Sequence, residues 1–355
     1  MHPNDPPLAP LGWDDERDHE LKESFPGMTA ARVTAEHRGA YDLATADGEL
    51  SGKVAGRLLH DAQLSDLPAV GDWVAIASRP REGTATIHGV LQRRTGLSRK
   101  VAGKTTEEQI LAANIDVVFI VSALNEDFNA RRIERYLTVA WESGAVPVVV
   151  LNKADLCDDV AGALEETAMS APGVDVIAIS AVEGDLDALT TFIGIGRTCA
   201  FLGSSGVGKS TLINSIVGAE TMTVKEIRDD GKGRHTTTHR QLISLPGGGA
   251  LIDTPGMREL QLWDADEGIE SSFADVLALA GECKFSDCSH THEPGCAVKA
   301  ALDDGSLDEA RWGSYRKQQA ELESLARRQD KKLASENTRR WKLLTRDAKA
   351  RARPR

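Results

Sequence analysis

No stretch of this 355-residue chain stays apolar for anything near the roughly 20 residues that a membrane-spanning helix needs, so no such helix is expected. Aromatic residues make up 5% of the chain, too few for ladders of stacking rings along its strands. The cysteines number five, and Cys283, Cys288 and Cys296 lie close together. An odd, clustered count argues against a disulfide framework; it points to a reducing compartment, here the cytoplasm, and to a metal site. No internal repeat is visible, so a repeat architecture is not expected. The first 26 residues are polar and rich in Pro and Asp; without an apolar core they read as a disordered leader rather than a signal peptide or anchor.

What is present is a length that divides into two or three domains and a charge distribution divided between body and end. The net charge is −12. From Arg311 to Arg355, however, there are 15 Lys and Arg against 5 Asp and Glu, a net of +10, so the remaining chain carries −22. A basic end on an acidic body can seek phosphate while the body stays soluble.

Residues 27–100 read as a small barrel of the oligonucleotide-binding (OB) type. Thr29–His37, Leu50–Leu59, Asp72–Ala77 and Thr84–Leu91 are short runs rich in Val, Ile, Thr or Ala, separated by Gly, Pro and Asp. Arg93–Thr106 reads as a linker. Beyond it, buried strand runs at Ile115–Val121, Val146–Leu151, Val174–Ile179 and Thr198–Leu202 alternate with helical stretches, the pattern of a parallel sheet covered by helices. From Ser271 onward the chain reads as helical, apart from a Cys/His-rich knot. The expected fold is therefore multidomain: an OB-type β-barrel (27–100), a central α/β domain (101–268), a mainly α metal-binding domain (269–335) and a basic tail (336–355).

The central domain carries the chemistry. Gly203-Ser204-Ser205-Gly206-Val207-Gly208-Lys209-Ser210, followed by Thr211, fits the P-loop pattern between a strand and a helix. Its glycines let backbone N–H groups turn onto phosphate oxygens, and the helix N-terminus adds positive dipole. Lys209 is expected on the β- and γ-phosphates and the Ser210 hydroxyl on Mg²⁺. Asn152-Lys153-Ala-Asp155 follows a buried strand; its carboxylate can accept both guanine N1–H and the exocyclic amine, which adenine cannot offer. Ser180-Ala181 after the next strand can place a backbone N–H on guanine O6. Asp253-Thr-Pro-Gly256 can supply the Mg²⁺ shell through Asp253 and a γ-phosphate contact through the Gly256 N–H. Among Thr236–Thr238, Thr237 is the candidate to complete the Mg²⁺ sphere. The set describes a GTPase, but the base-reading motifs precede the phosphate loop. The order is circularly permuted, which a compact domain tolerates because its chain ends lie close together.

With Val70-Gly-Asp-Trp-Val74, Gln109 followed by Ala113-Asn-Ile-Asp116, Gly233-Arg-His-Thr-Thr-Thr238, the permuted motifs and the cysteine knot, the chain resembles the ribosome small-subunit-dependent GTPase A family (RsgA, also called YjeQ) over nearly its whole length. The resemblance implies a barrel, a permuted GTPase domain and a zinc domain. It further implies a role late in maturation of the small (30S) ribosomal subunit, contact with its rRNA, and GTP hydrolysis that the subunit stimulates and that is linked to release. Partners are then GTP, GDP and the subunit, with no membrane, and the chain is expected as a monomer. Other readings are a permuted GTPase acting on the large subunit or another RNA, an RNA-binding factor in which hydrolysis is only a timer, and an ATPase.

Cys283, Cys288, His290 and Cys296 offer three thiolates and an imidazole, a tetrahedral zinc set with no open position and hence structural, one ion per chain. The resemblance places the metal on these four; His292 is the competing imidazole. Where ordinary GTPases carry a water-orienting Gln after the Asp-x-x-Gly segment, this chain has Met257, so unaided hydrolysis is expected to be slow. His235, and Arg234 beside it, are the internal candidates to take over that role, and an rRNA phosphate or a protein loop of the subunit is the external one.

Overall fold

The computed structural model describes residues 8–101, 107–125, 128–184, 186–218, 240–253 and 266–323. Five strands, β1 (Thr29–His37), β2 (Ala40–Thr45), β3 (Gly48–Val54), β4 (Trp73–Arg79) and β5 (Thr84–Val90), close into a barrel in the order β1-β2-β3-β5-β4, with β4 pairing back onto β1. Only β3–β5 is parallel. Val33, Leu43, Val74, Ile76 and Ile87 fill the interior. Two details differ from the expected strand pattern. Ala40–Thr45 is a strand of its own, and the run Leu50–Leu59 stops at Val54, after which the chain turns into a short helix over Gly56–Asp61.

The expected disordered leader is corrected over its described part. Ala9–Leu11 forms a 3₁₀ turn and Asp15–Ser24 the helix α1, capped by Asp14, whose carboxylate accepts from the Arg17 N–H at 3.0 Å; the Gly56–Asp61 helix is α2. The polar composition of this segment conceals a sparse apolar set. Leu8 and Leu21 are buried against Trp73 and Leu91, and Trp13 meets Trp73 edge-on at 4.9 Å. Arg32, on β1 beneath this segment, donates to the Gly71, Leu11 and Asn114 carbonyls and lies against the Trp73 ring. Burial, reinforced by nearby Arg17, pulls its pKa down to about 9. The expected linker is likewise a hairpin, β6 (Gly96–Val101) paired antiparallel with β7 (Glu107–Ala113).

The central sheet is built from β8 (Val117–Ala123), β9 (Val146–Asn152), β10 (Asp175–Ile179), β11 (Thr198–Leu202), β12 (Gln241–Ser244) and β13 (Ala250–Asp253), in the order β10-β9-β8-β11-β13-β12. All neighbours are parallel except β12–β13. The strands are apolar on both faces because both are covered. On one face Val118, Ile120 and Leu151 pack against Ile133 and Leu137 of α3 (Ala130–Glu142), with Ala163 and Leu164 of α4 (Val160–Ser170) beside them. On the other, Phe119, Val150 and Phe201 pack against Leu189 of α5 (Asp187–Thr190) and Leu212 of α6 (Lys209–Val217). Strand β12 also pairs with β1 at Ala35–Gln241, joining barrel and central sheet in one eleven-stranded sheet.

The C-terminal helices Asp266–Ser272, Ala274–Gly281, Ala297–Asp304 and 309–323 enclose Phe273, Val276, Val298, Leu307 and Tyr315. They dock on α3. A Cβ at Gly268 would come 2.3 Å from the Thr138 carbonyl oxygen, so this close helix approach needs glycine. No helix among the described residues is long and apolar enough to cross a membrane.

Candidate functional site

Parallel pairing brings the C-terminal ends of β8, β9, β10, β11 and β13 to one edge of the sheet, and the motif residues sit on the turns that leave it. The phosphate loop spans the gap between β11 and α6. Gly203, Gly206 and Gly208 all have positive φ, at 145°, 82° and 99°. Gly208 is also sterically fixed: a Cβ there would lie 2.2 Å from the Asn152 side-chain nitrogen. Lys209 Nζ folds back to donate to the Gly203 and Ser204 carbonyls, both at 2.7 Å. Ser205 and Ser210 are exposed, as is Thr211, while Val207 anchors the loop in the core. Asp253 ends β13 one residue beyond the Ala200–Ile252 pair, which sets it beside the start of the loop.

Asn152 is buried and ties three segments together. Its Nδ2 donates to the Val207 carbonyl at 2.8 Å, and its Oδ1 accepts from the Ala181 N–H at 3.1 Å. Its amide therefore braces the phosphate loop against the turn after β10, and the amide of Asn, offering both donor and acceptor, is suited to both. Lys153 takes the left-handed conformation at φ 65°, and Asp155 accepts from the Ser180 hydroxyl at 2.6 Å. The structure thus gathers Asn152, Lys153, Asp155, Ser180, Ala181, Gly203–Thr211 and Asp253 at one edge. His235, Thr237, Gly256, Arg234 and Met257, and the tail over 336–355, lie outside the described residues.

Sequence reasoning missed one member of this neighbourhood. Arg132, in the first turn of α3, donates from its guanidinium to the Ser204 hydroxyl at 3.2 Å. The pairing of β8 with β11 brings it there, and nothing in the local sequence marks it.

The Cys/His knot is compact. The ligand atoms of Cys283, Cys288, His290 and Cys296 lie within 4.8 Å of one another. The sulfurs of Cys283 and Cys296 are 3.9 Å apart, and His290 Nδ1 is 3.5 Å from each. Thiolates about 2.3 Å from a tetrahedral zinc sit roughly 3.8 Å apart, so the cluster is compatible with one such ion. His290 holds φ 58° and meets the Trp312 ring edge-on at 5.5 Å. His292 is exposed and is not part of the cluster.

The knot is joined to the central domain through Arg311, which belongs to the basic stretch that ends the chain. Arg311 is buried. It donates to both Asp275 oxygens at 2.7 and 2.6 Å, to Glu134 of α3 at 3.0 Å, and to the Ser170 and Ser272 carbonyls at 3.0 and 2.9 Å. Burial lifts the Glu134 carboxyl above the ordinary range, against the pull of Ser314 and Arg311. Thr138 bonds Gln318 at 2.8 Å, and Arg135 forms a two-pronged pair with Glu321 at 2.9 and 3.0 Å.

Strand order, phosphate loop and the Asn152 brace together define a circularly permuted GTPase of the P-loop class, carrying a barrel before it and a Cys/His domain after it. A family model described as RsgA GTPase matches residues 90–263. The small ribosomal subunit biogenesis GTPase RsgA of Opitutus terrae is 49% identical over 359 residues, covering 98% of both chains. Its namesake in Streptomyces avermitilis is 44% identical, covering 97% of this chain and 93% of its own. The chain belongs to the RsgA GTPase family. Among solved structures, YjeQ from Thermotoga maritima aligns with a TM-score of 0.63 at 27% identity over 83% of this chain and 98% of its own. YloQ, a circularly permuted GTPase, shares the fold with a TM-score of 0.61 at 22% identity over 84% of this chain and 96% of its own.

Proposed function

We propose that this chain hydrolyses GTP in the biogenesis of the small ribosomal subunit, in the cytoplasm, as a monomer that is slow alone and accelerated on the subunit. The observation that carries the guanine-nucleotide reading is Asn152, whose single buried amide braces the phosphate loop against the Ser180–Ala181 turn. Asp155 reads the guanine edge, with Lys153 along the base and the Ala181 N–H toward O6. Gly203–Thr211 cradle the phosphates and Lys209 leaves the loop carbonyls for the β- and γ-oxygens. Ser210 and Thr237 would hold a Mg²⁺ ion, with Asp253 in its outer shell; that ion would draw charge from the β- and γ-phosphates. His235 takes the place of the missing Gln, and the Gly256 N–H meets the γ-phosphate.

The four-ligand Cys/His knot holds one structural zinc, and its domain (269–335) with the basic tail (336–355) faces rRNA. The barrel (27–100) and the GTPase domain (101–268) complete the division. The names of the relatives, which specify the small ribosomal subunit, support that partner.

The test is GTP turnover with and without purified small subunits, with large subunits as control. Stimulation by small subunits alone is expected. Equal stimulation by both, or none, refutes the partner. In a second arm, Asp155→Asn is expected to shift preference toward xanthine nucleotides; retained guanine preference refutes the base assignment.

A further inference from the structure

Helix α3 begins at the edge of the sheet that holds the nucleotide motifs. Asn129 caps it, accepting from the Arg132 N–H at 3.2 Å, and its first turn holds Arg131 and Arg132 with no acidic residue. Cations are poorly placed at the positive end of a helix dipole, so the helix gains nothing from them there. Arg132 is nevertheless aimed at a second positively polarised place. Its guanidinium donates to the Ser204 hydroxyl, while Lys209 donates to the Ser204 carbonyl. Two cations thus converge on one residue of the phosphate loop.

Among the described residues, that hydroxyl is the one hydrogen-bond partner found for the Arg132 side chain, whose planar fork carries five donors. A fork with most donors unspent, beside the lysine that takes the β- and γ-phosphates, matches the bidentate geometry of a phosphate. Ser204 lies at the beginning of the loop, at the opposite end from the α6 N-terminus, and Asp253 ends the next strand. Lys209, which reaches the β- and γ-phosphates in a P-loop, is turned onto that end, so that is the end we assign to the terminal phosphate.

The helix that carries Arg132 is also firmly based. Glu134 and Arg135, on its next turn, are paired with Arg311 and Glu321 of the C-terminal domain. A side chain reaching from a fixed helix holds its geometry better than one on a loop. Met257, following the Asp-x-x-Gly segment, has no polar group to offer the reacting phosphate.

We infer that Arg132 is a γ-phosphate-reading residue of this GTPase: it rests on Ser204 when the loop is empty and transfers its guanidinium to the terminal phosphate when GTP is bound. It would therefore discriminate GTP from GDP and offset the charge that builds on the γ-phosphate oxygens during hydrolysis. This deepens the guanine-nucleotide reading and rests on it.

The experiment compares the wild type with Arg132→Ala, Arg132→Lys and Arg131→Ala in the full chain. It measures the affinities of GDP and of a non-hydrolysable GTP analogue by fluorescent-nucleotide titration, and the basal single-turnover rate. Arg132→Ala is expected to weaken the GTP analogue about tenfold or more, the scale of one lost charge-assisted bond, while GDP stays within about twofold. Arg132→Lys is expected to recover part of the loss. Arg131→Ala, which removes the same charge from the same turn, is expected to change neither affinity beyond about twofold. Equal weakening of both nucleotides by Arg132→Ala would show a brace for the loop and overturn the inference, as would no change in either. A wild-type chain that binds neither nucleotide would remove this inference together with the function it rests on.

Discussion

Replacing Arg311 by Met should separate the C-terminal Cys/His domain from the GTPase domain while leaving each internally folded. In the native structure the side chains of Arg311 and Glu134 are 7% and 3% exposed, and the guanidinium spends its donors on Asp275, Glu134 and two backbone carbonyls. Methionine fills a similar space, but it leaves the Glu134 carboxylate buried without its cation and two carbonyls without their donor. Removing one partner of a buried pair costs about 3–5 kcal/mol, mostly the penalty of the charge left behind. That penalty falls on the contact between α3 and the C-terminal helices, because Asp275 is 38% exposed and can be rehydrated where it stands.

The chain has several domains, so one unfolding free energy is not a well-defined readout. Native-state hydrogen exchange of the α3 amides is the suitable assay, with exchange of the C-terminal helix amides as a second probe. Arg311→Met should lower α3 protection by about two to three and a half orders of magnitude, the exchange equivalent of that energy. The double variant Arg311→Met with Glu134→Gln removes the stranded charge and should recover about half of the loss or more, since an apolar or neutral replacement of a whole buried pair is often nearly neutral. Unchanged α3 protection in the single variant, or a double variant no better than the single, would refute the reasoning.

Gly208→Ala should abolish guanine-nucleotide binding in a fluorescent-nucleotide titration with an unchanged circular dichroism spectrum. The new methyl meets the Asn152 amide 2.2 Å away in a left-handed backbone, whereas at Gly206 a Cβ meets nothing within 4 Å and the effect should be milder. The raised pKa of Glu134 gives a pH signature with a definite sign. Its native state binds a proton more readily than its unfolded state, so its stabilising contribution is present at low pH and is lost as pH rises from the ordinary carboxylate range through the raised one. Protection of the α3 amides against hydrogen exchange, measured against pH and corrected for the intrinsic exchange rate, should fall less over that window in Glu134→Gln than in the wild type; parallel curves would refute the assignment.

What is legible in the sequence divides from what is not along a physical line. Backbone chemistry needs particular residues in contiguous order: a phosphate cradle needs glycines at fixed offsets, and a strand buried on both faces needs an unbroken apolar run. Gly203–Ser210 and the strands β8 to β11 are therefore legible from residue type and spacing alone, and so is the permuted order. The features that escape such reading are those whose meaning depends on a distant partner. Asp15–Ser24 has the composition of a disordered segment because Leu21 and Arg17 acquire their burial from Trp73 and the barrel wall, far away in sequence. Ala40–Thr45 has no marked apolar run, yet it forms a strand paired with β1 on one side and β3 on the other. Arg311 counts toward a basic end, and a sum of charges contains no information on burial.

The burial of Arg311 gives the C-terminal domain a contact with the GTPase domain that chain continuity does not reveal. Chain continuity points to the segment following Gly256, which leads into the C-terminal domain and lies outside the described residues. The packing provides a second connection that does not depend on continuity. Helix α3 touches the phosphate loop through Arg132 at its first turn and the C-terminal domain through Glu134, Arg135 and Thr138 over the next two. A helix rises about 1.5 Å per residue, so these contacts span less than about 10 Å of one rigid rod. Helix α3 is therefore in contact with both the phosphate loop and the C-terminal domain, a connection made by packing alone. Permutation makes this arrangement available because the C-terminal domain follows the GTPase domain directly in the chain and docks on α3.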